Sequence, residues 1–333
     1  MIQAKQFSKA FSSMVEQANF PATESYIDRI LQKTAELDAP GKEHLESYLL
    51  HKWRMNHKPS TLKGSTHAMS SFLIFYAARG KRLEDIVLDD IEAFVEHLQD
   101  KGFKITTVRL RLDQLVAFLR FLIERDIIDG RILRRKIKLK VPDFLPRAIA
   151  PGDIRRFLGA VEEIRDRALI LVLLRTGMRI GEVLRLTMRD LEIRERKIHI
   201  YEGEKNCLGR VVYLSDDALV ALKLWFKKRD KKKEYLFYGN KSSLCYTAAR
   251  NIFTRYLEET GLQNKGYTIH SLRHTFASEL LNAGMRLEYL QLLLGHRDIE
   301  VTRRYARLTD KSREAEYFRA MEIIEKGGIH GAY

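Results

Sequence analysis

Cysteine is nearly absent: Cys207 and Cys245 are the two in 333 residues. That excludes a disulfide framework and a cysteine-rich zinc site, and points to a reducing compartment. Long hydrophobic runs are missing too. No stretch is apolar for long enough to cross a bilayer, and Met1-Ile2-Gln3-Ala4-Lys5 leads into mixed polar sequence without an apolar signal core. The expected location is the cytoplasm. There is no internal repeat and no long low-complexity segment. Acidic residues are outnumbered, 44 against 59 Lys plus Arg, which leaves a formal charge of +15. Such an excess suits a polyanionic partner, nucleic acid first. The same composition also fits a basic enzyme with solvated lysine faces, such as the run Lys227, Lys228, Arg229, Lys231, Lys232, Lys233.

What is present is enough for a core. With 45% hydrophobic residues the chain can fold as two domains of ordinary size. Proline is scarce, yet Pro142, Pro146 and Pro151 cluster directly after the basic run Arg131, Arg134, Arg135, Lys136, Lys138, Lys140. Clustered prolines remove backbone donors and favour extended chain, so residues 142–150 read as an interdomain linker. Before the linker the pattern is helical. Ile91, Phe94, Val95 and Leu98 repeat at helical spacing, with Asp89 or Asp90 as a cap in front and Gly102 as a stop behind. Met69, Phe72, Leu73 and Tyr76 mark a second helix, and Leu112, Leu115, Val116, Leu119, Leu122 and Ile123 a third; such stripes are core. After the linker, Pro151 opens a helix, and Ala168 to Leu174 form a buried one. Lys197 to Tyr201 and Arg210 to Leu214 read as a β-hairpin.

Breaking a phosphodiester without a metal requires cations on the phosphoryl oxygens, a nucleophile, and groups that give and take protons. The C-terminal half offers each. Arg179 follows Gly177 and precedes Gly181, and Glu182, three residues on, is spaced to hold its guanidinium. Alone, such a pair is also what a surface ion pair looks like. In His270-Ser271-Leu272-Arg273-His274, Arg273 can grip a phosphate bidentately and His270 can exchange a proton near neutral pH. His270 and His274 also stand at the spacing of a helical zinc pair, but no Glu follows the first His as a zincin motif requires, so no metal is expected. Leu294-Gly295-His296 is followed nine residues later by Tyr305, within Thr302-Arg303-Arg304-Tyr305-Ala306-Arg307. Neighbouring cations favour the phenolate, which makes Tyr305 a candidate nucleophile; singly, it would be a packed aromatic.

Taken in order and spacing, these clusters resemble the signature of the tyrosine recombinase or phage integrase family, in an Xer-like form. The resemblance covers about residues 46 to 325. It implies a mainly α fold, with a helical core-type DNA-binding domain and an α-rich catalytic domain carrying a small antiparallel β-sheet, the DNA breaking-rejoining enzyme fold. The expected boundaries are 1–45 for an N-terminal helical extension, 46–141, 142–150 for the linker and 151–333. The resemblance makes Tyr305 the nucleophile, Arg179 and Arg273 the clamp on the scissile phosphate, His270 the general base, His296 a further phosphate ligand and Glu182 a support. It also places a proton-donating lysine in the hairpin loop. Lys205, five before Arg210, fits best, although Glu204-Lys205-Asn206-Cys207-Leu208-Gly209 is poorer in Gly and Lys than is usual in the family.

The implied reaction leaves a 3′-phosphotyrosyl bond and a free 5′-hydroxyl, conserves bond energy, and needs neither cofactor nor ATP. Its outcome would be integration, excision or resolution of double-stranded DNA. Lys104, Arg109 and Arg111, with Arg134, Arg135, Lys136, Lys138 and Lys140 of the basic run that leads into the linker, are the expected DNA contacts, solvated charges being the alternative for each. The two domains would form a clamp round the duplex. The amphipathic segment Glu316 to Ile324, in a tail helix of about 312–326, needs a partner surface. In the family such a tail docks into a neighbouring protomer of a tetramer. Rival readings are a non-catalytic DNA-binding protein, a type IB topoisomerase-like relaxing enzyme and a zinc-dependent nuclease. The complete residue set argues against the first, length and tail against the second, and activity in EDTA would exclude the third.

Overall fold

The computed structural model describes residues 25–135, 137–142, 146–201, 209–240, 242–296, 298–306 and 317. The chain divides into two units, Met1–Pro142 and Asp143–Tyr333, each with its own apolar core.

The first unit is helical: α1 (Tyr26–Ala35), α2 (Lys42–Arg54), α3 (Pro59–Ala77), α4 (Leu88–Asp100) and α5 (Ile105–Ile123). Each apolar stripe of the sequence turns inward. Met69, Phe72, Leu73 and Tyr76 of α3 meet Ile91, Phe94 and Leu98 of α4 and Leu112, Leu115 and Leu119 of α5 in one core. Burying side chains of this size contributes roughly 1.5–3 kcal/mol each. The front of α4 differs in detail from the expectation. Val87 is the capping residue, and Asp90 reaches back from inside the first turn to accept its backbone N–H at 3.1 Å while Lys81 donates to the same carboxylate at 2.6 Å. A boundary between residues 45 and 46 is also corrected: it would cut through α2, and Ile27, Ile30 and Leu45 share the core of the rest of this unit. Residues 1–24 lie outside the described residues.

The second unit runs α6 (Pro151–Ala160), α7 (Ile164–Thr176), α8 (Ile180–Arg185), β1 (Leu191–Glu192), β2 (Lys197–Ile200), β3 (Arg210–Tyr213), α9 (Asp216–Lys228), α10 (Tyr246–Glu259), α11 (Ile269–Asn282), α12 (Leu287–Leu294) and α13 (Ile299–Ala306). Pro151 stands at the first turn of α6, where its missing N–H costs nothing. The centre is α7, whose stretch Ala168 to Leu174 is buried on all sides because α9 and α11 both pack on it. The hairpin forms as read, with Lys197 opposite Tyr213 and Ile200 opposite Arg210. A two-residue strand, β1, adds an antiparallel edge that sequence periodicity is too short to reveal.

The end of the expected linker belongs to this unit. Ile149 is buried and donates its N–H to Thr275 Oγ1 of α11 at 2.8 Å, and Arg147 donates to the Lys265 carbonyl at 2.9 Å. A small satellite core, Phe276, Ala277, Leu281, Leu290 and Leu294, fastens α11 to α12. It sets the C-terminal end of α12 beside the start of α11, where the site lies. Among the described residues no helix is long and apolar enough to cross a membrane.

Candidate active site

Three helix ends meet. The first is the end of α7, where Gly177 adopts the left-handed conformation, φ +61°, and turns the chain sharply into α8. A β-carbon there would lie 2.2 Å from Phe276 Cδ1, so glycine is required sterically as well as conformationally. The turn delivers Arg179 to the N-cap of α8 instead of onto its face. Glu182, in the first turn, accepts the Arg179 N–H at 2.8 Å through one carboxylate oxygen and Arg179 Nη1 at 3.1 Å through the other. The predicted support is therefore a helix-cap interaction, and the Glu182 side chain is only 1% exposed.

The second end is the start of α11. Arg273 is buried, and its guanidinium donates to the Gly177 carbonyl, to the Leu294 carbonyl at 2.8 Å and to His296 Nε2 at 2.9 Å. His270, one turn earlier, is exposed. The third end is that of α12, which terminates in Gly295, left-handed at φ +62°, and so throws His296 back toward Arg273. A guanidinium has no acceptor lone pair, so His296 Nε2 accepts from Arg273 and Nδ1 carries the proton that it gives to Thr302 Oγ1 at 2.8 Å. Burial, then the charges of Arg273, Arg179 and Arg210, and His274, pull the imidazole down to about 3, which keeps it neutral.

Thr302 is fully buried in α13, the helix whose backbone carries Tyr305 one turn later. The residues that converge are thus Arg179, Glu182, Arg273 and His296, with α13 tied in through Thr302. Lys205, Lys136 and the tail helix of 312–326, apart from Tyr317, lie outside the described residues.

Two participants were not legible as such. Arg210 stands in the sequence only as the opener of a strand. In the structure both its Nη atoms donate to Glu182, at 3.0 and 2.7 Å, and its Nε donates to the Leu293 carbonyl at 2.9 Å. The available signal was the period of two along the strand: Arg210 shares a face with Val212, a core residue. Thr302 stood only as a neighbour of Tyr305, and nothing local showed that it would meet His296.

The expected DNA contacts fall into three groups. Lys104, Arg134, Arg135, Lys138 and Lys140 are exposed. Arg109 is exposed but paired with Asp113 at 2.9 Å. Arg111 is 9% exposed, lies over the Phe103 ring at 4.2 Å and donates to Ser71 Oγ, so its charge is largely turned inward.

Residues 147–312 match the phage integrase family, and residues 30–126 match the phage integrase N-terminal SAM-like domain. A tyrosine recombinase XerC of Roseiflexus castenholzii is 30% identical over 289 residues, spanning 81% of this chain and 90% of that protein. A tyrosine recombinase XerA of Pyrococcus horikoshii is 27% identical over 244 residues, 72% of this chain and 82% of that protein. In fold, the chain is similar to the Tn1549 transposon integrase in complex with a circular intermediate DNA, with a TM-score of 0.69, 21% identity, and coverage of 85% of this chain and 100% of that one. It is also similar to the XerH site-specific recombinase bound to a palindromic difH substrate, with a TM-score of 0.65, 20% identity, and coverage of 89% and 95%.

Proposed function

The chain belongs to the phage integrase family of tyrosine recombinases, enzymes that cleave and rejoin DNA at specific sites, and we propose that it does so with Tyr305 as nucleophile and Arg179 and Arg273 as the cations on the scissile phosphate. One observation carries this assignment. Arg179, Arg273 and His296, read separately from sequence, converge on the end of α12, and His296 is hydrogen-bonded to the helix that bears Tyr305.

The chemistry follows from what each group can do. The Tyr305 oxygen attacks phosphorus in line; the new oxygen–phosphorus bond forms as the bond to the 5′ oxygen breaks, leaving a 3′-phosphotyrosyl link. His270, at the accessible start of α11, takes the phenolic proton, and Lys205 returns one to the departing 5′ oxygen. Arg179 and Arg273 stabilise charge on the non-bridging oxygens, the work a metal ion does in other phosphoryl-transfer enzymes. A 5′-hydroxyl from a second duplex reverses the step and joins new ends. Assembly of a tetramer on DNA, coupled through the tail helix of about 312–326, completes the reading; the amphipathic sequence Glu316 to Ile324 supports it.

Loss of either arginine should lower the cleavage rate by about 3 kcal/mol of transition-state energy, on the order of 10²-fold. Arg273→Ala should also destabilise the fold, because the Gly177 and Leu294 carbonyls lose their donor, at about 1–3 kcal/mol for each buried group left unpaired. The deciding experiment is covalent trapping. Wild type and Tyr305→Phe are incubated in EDTA with nicked duplexes carrying candidate recombination sites, then resolved on denaturing gels. A DNA-linked band from wild type that vanishes in the variant is expected. Tight binding without an adduct, or an adduct that survives in Tyr305→Phe, would overturn the assignment.

A further inference from the structure

The end of α12 is capped in an unusual way. A helix leaves its last carbonyls without intrahelical partners, and their partial negative charge favours cations. Here three consecutive carbonyls are each taken by a different arginine: Leu293 by Arg210 Nε at 2.9 Å, Leu294 by Arg273 Nη2 at 2.8 Å, and Gly295 by Arg179 Nη2 at 3.3 Å. Two of these arginines are the proposed phosphate clamp. The third has a different set of contacts. Arg210 presents its Nη edge to both oxygens of Glu182, and the same oxygens hold the Arg179 guanidinium and backbone N–H. Every nitrogen of the Arg210 guanidinium thus has a protein acceptor, and its side chain is 8% exposed against 14% for Arg179. It also lies flat against Gly295, where an added β-carbon would stand 2.9–3.1 Å from its Nη1, Cδ and Cζ atoms.

We propose that Arg210 is a positioning residue of the recombination site: it pins the Glu182 carboxylate and the end of α12 in one arrangement, and so fixes the orientation in which Arg179 and His296 meet the scissile phosphate. A lone carboxylate between two mobile guanidiniums would have several pairings. Arg210 removes that freedom from the far side, leaving Arg179 as the partner that faces the substrate. The role needs the planar fork, because a point charge cannot hold two carboxylate oxygens and a carbonyl at once. The inference rests on the arginine clamp proposed above.

Arg210 also bears on the protonation of Glu182. Burial raises this carboxyl, yet Arg210, through hydrogen bonding and charge, and then Arg179 bring it down to about 2. The neighbouring groups are Arg179 at the start of α8, Arg210 of β3, Arg273 and His274 of α11 and His296 after α12. Removing Arg210 leaves burial and Arg179 to set the balance, so the pKa of Glu182 moves up.

The test uses the full chain and a nicked duplex on which wild type forms its adduct. Single-turnover cleavage and duplex affinity are measured for wild type, Arg210→Gln, Arg210→Lys, Glu182→Gln and the Arg210→Gln, Glu182→Gln double variant from pH 5 to 8. Arg210→Gln should slow cleavage on the order of 10²-fold, the cost of misplacing reacting groups by about an ångström, with duplex affinity little changed. As Glu182 moves up, the variant should lose rate toward the acid end in a way that wild type, with Glu182 at about 2, does not. Arg210→Lys, which keeps the charge, should remove this acid loss but restore only part of the rate. The double variant should lose less than the product of the single losses, as expected for residues that act through one another.

Three outcomes would overturn the inference. In one, affinity falls by the same factor as cleavage, which makes Arg210 a phosphate ligand. In another, the losses of the double variant multiply. In the last, Arg210→Lys cleaves at the wild-type rate throughout, an outcome readable even if Arg210→Gln fails to fold. None of these depends on which hydroxyl attacks, so they are separable from failure of Tyr305→Phe to abolish the adduct.

Discussion

At the scale of single residues, the site is built from groups whose protonation is fixed by their partners. His296 must be neutral to accept from Arg273 while donating to Thr302. Its folded pKa, about 3, lies below the ordinary 6.5. Between those values the unfolded chain binds the proton more strongly, so this residue's contribution to stability is complete above the ordinary value and declines as pH falls toward 3. Glu182 acts in the same direction lower down: held at about 2 against an ordinary 4.5, it stabilises above 4.5 and ceases to as pH falls toward 2. Urea denaturation at pH 7.5 and pH 5 should therefore show a loss of stability on acidification that is smaller in His296→Gln, since glutamine can still bridge Arg273 and Thr302 but does not titrate. An equal loss in both proteins would mean that the imidazole is not held neutral. Arg179, Glu182, Arg273 and His296, which the structure brings together, could be picked out as candidates because each stands in a short motif with recognisable local spacing. Arg210 and Thr302 were not, because their partners are 28 and six residues away and are fixed only by packing.

At the scale of elements, turns do the placing. Gly177 and Gly295 are both left-handed helix stops, and each sends the next residues, Arg179 and His296, back into the site. The first is under the tighter constraint. Gly177→Ala meets a left-handed φ, costing about 1–3 kcal/mol, and a β-carbon inside contact distance of Phe276 and Leu294, adding roughly 1–3 kcal/mol for overpacking. Gly102 has the same handedness at φ +73° but open space around it, so Gly102→Ala should show the strain alone. Denaturant midpoints of the two variants measure the difference, and Gly177→Ala should also cleave more slowly because the Gly177 carbonyl holds Arg273. Equal midpoints would show that Phe276 moves aside freely. Hydrophobic periodicity made the long helices and the hairpin readable. It did not reveal β1, two residues long, nor that the linker's last residues dock on α11 through Ile149 and Thr275. Proline clustering signals extended chain, and extended chain can be pinned as well as free.

At the scale of the whole molecule, the excess of 15 positive charges must be divided between cations available to phosphates and cations already used. The structure makes that division for the expected contacts. Arg134, Arg135, Lys138 and Lys140 are exposed near the end of the first unit, whereas Arg109 is paired with Asp113 and Arg111 is buried against Phe103. Each exposed cation that meets a phosphate releases counterions, so its neutralisation should lower the slope of log affinity against log salt by about 0.9. Replacing Lys138 and Lys140 with glutamine should therefore flatten that slope by nearly 2 if both reach the backbone. Arg111→Gln should leave the slope nearly unchanged and appear in thermal stability instead, through the lost ring and Ser71 contacts. Fluorescence anisotropy on a labelled duplex from 50 to 300 mM salt would measure this. A slope change for Arg111→Gln that matches the lysine variants would mean that the arginine leaves its pocket to meet DNA. An unchanged slope for Lys138→Gln and Lys140→Gln would mean that this segment lies away from the phosphates.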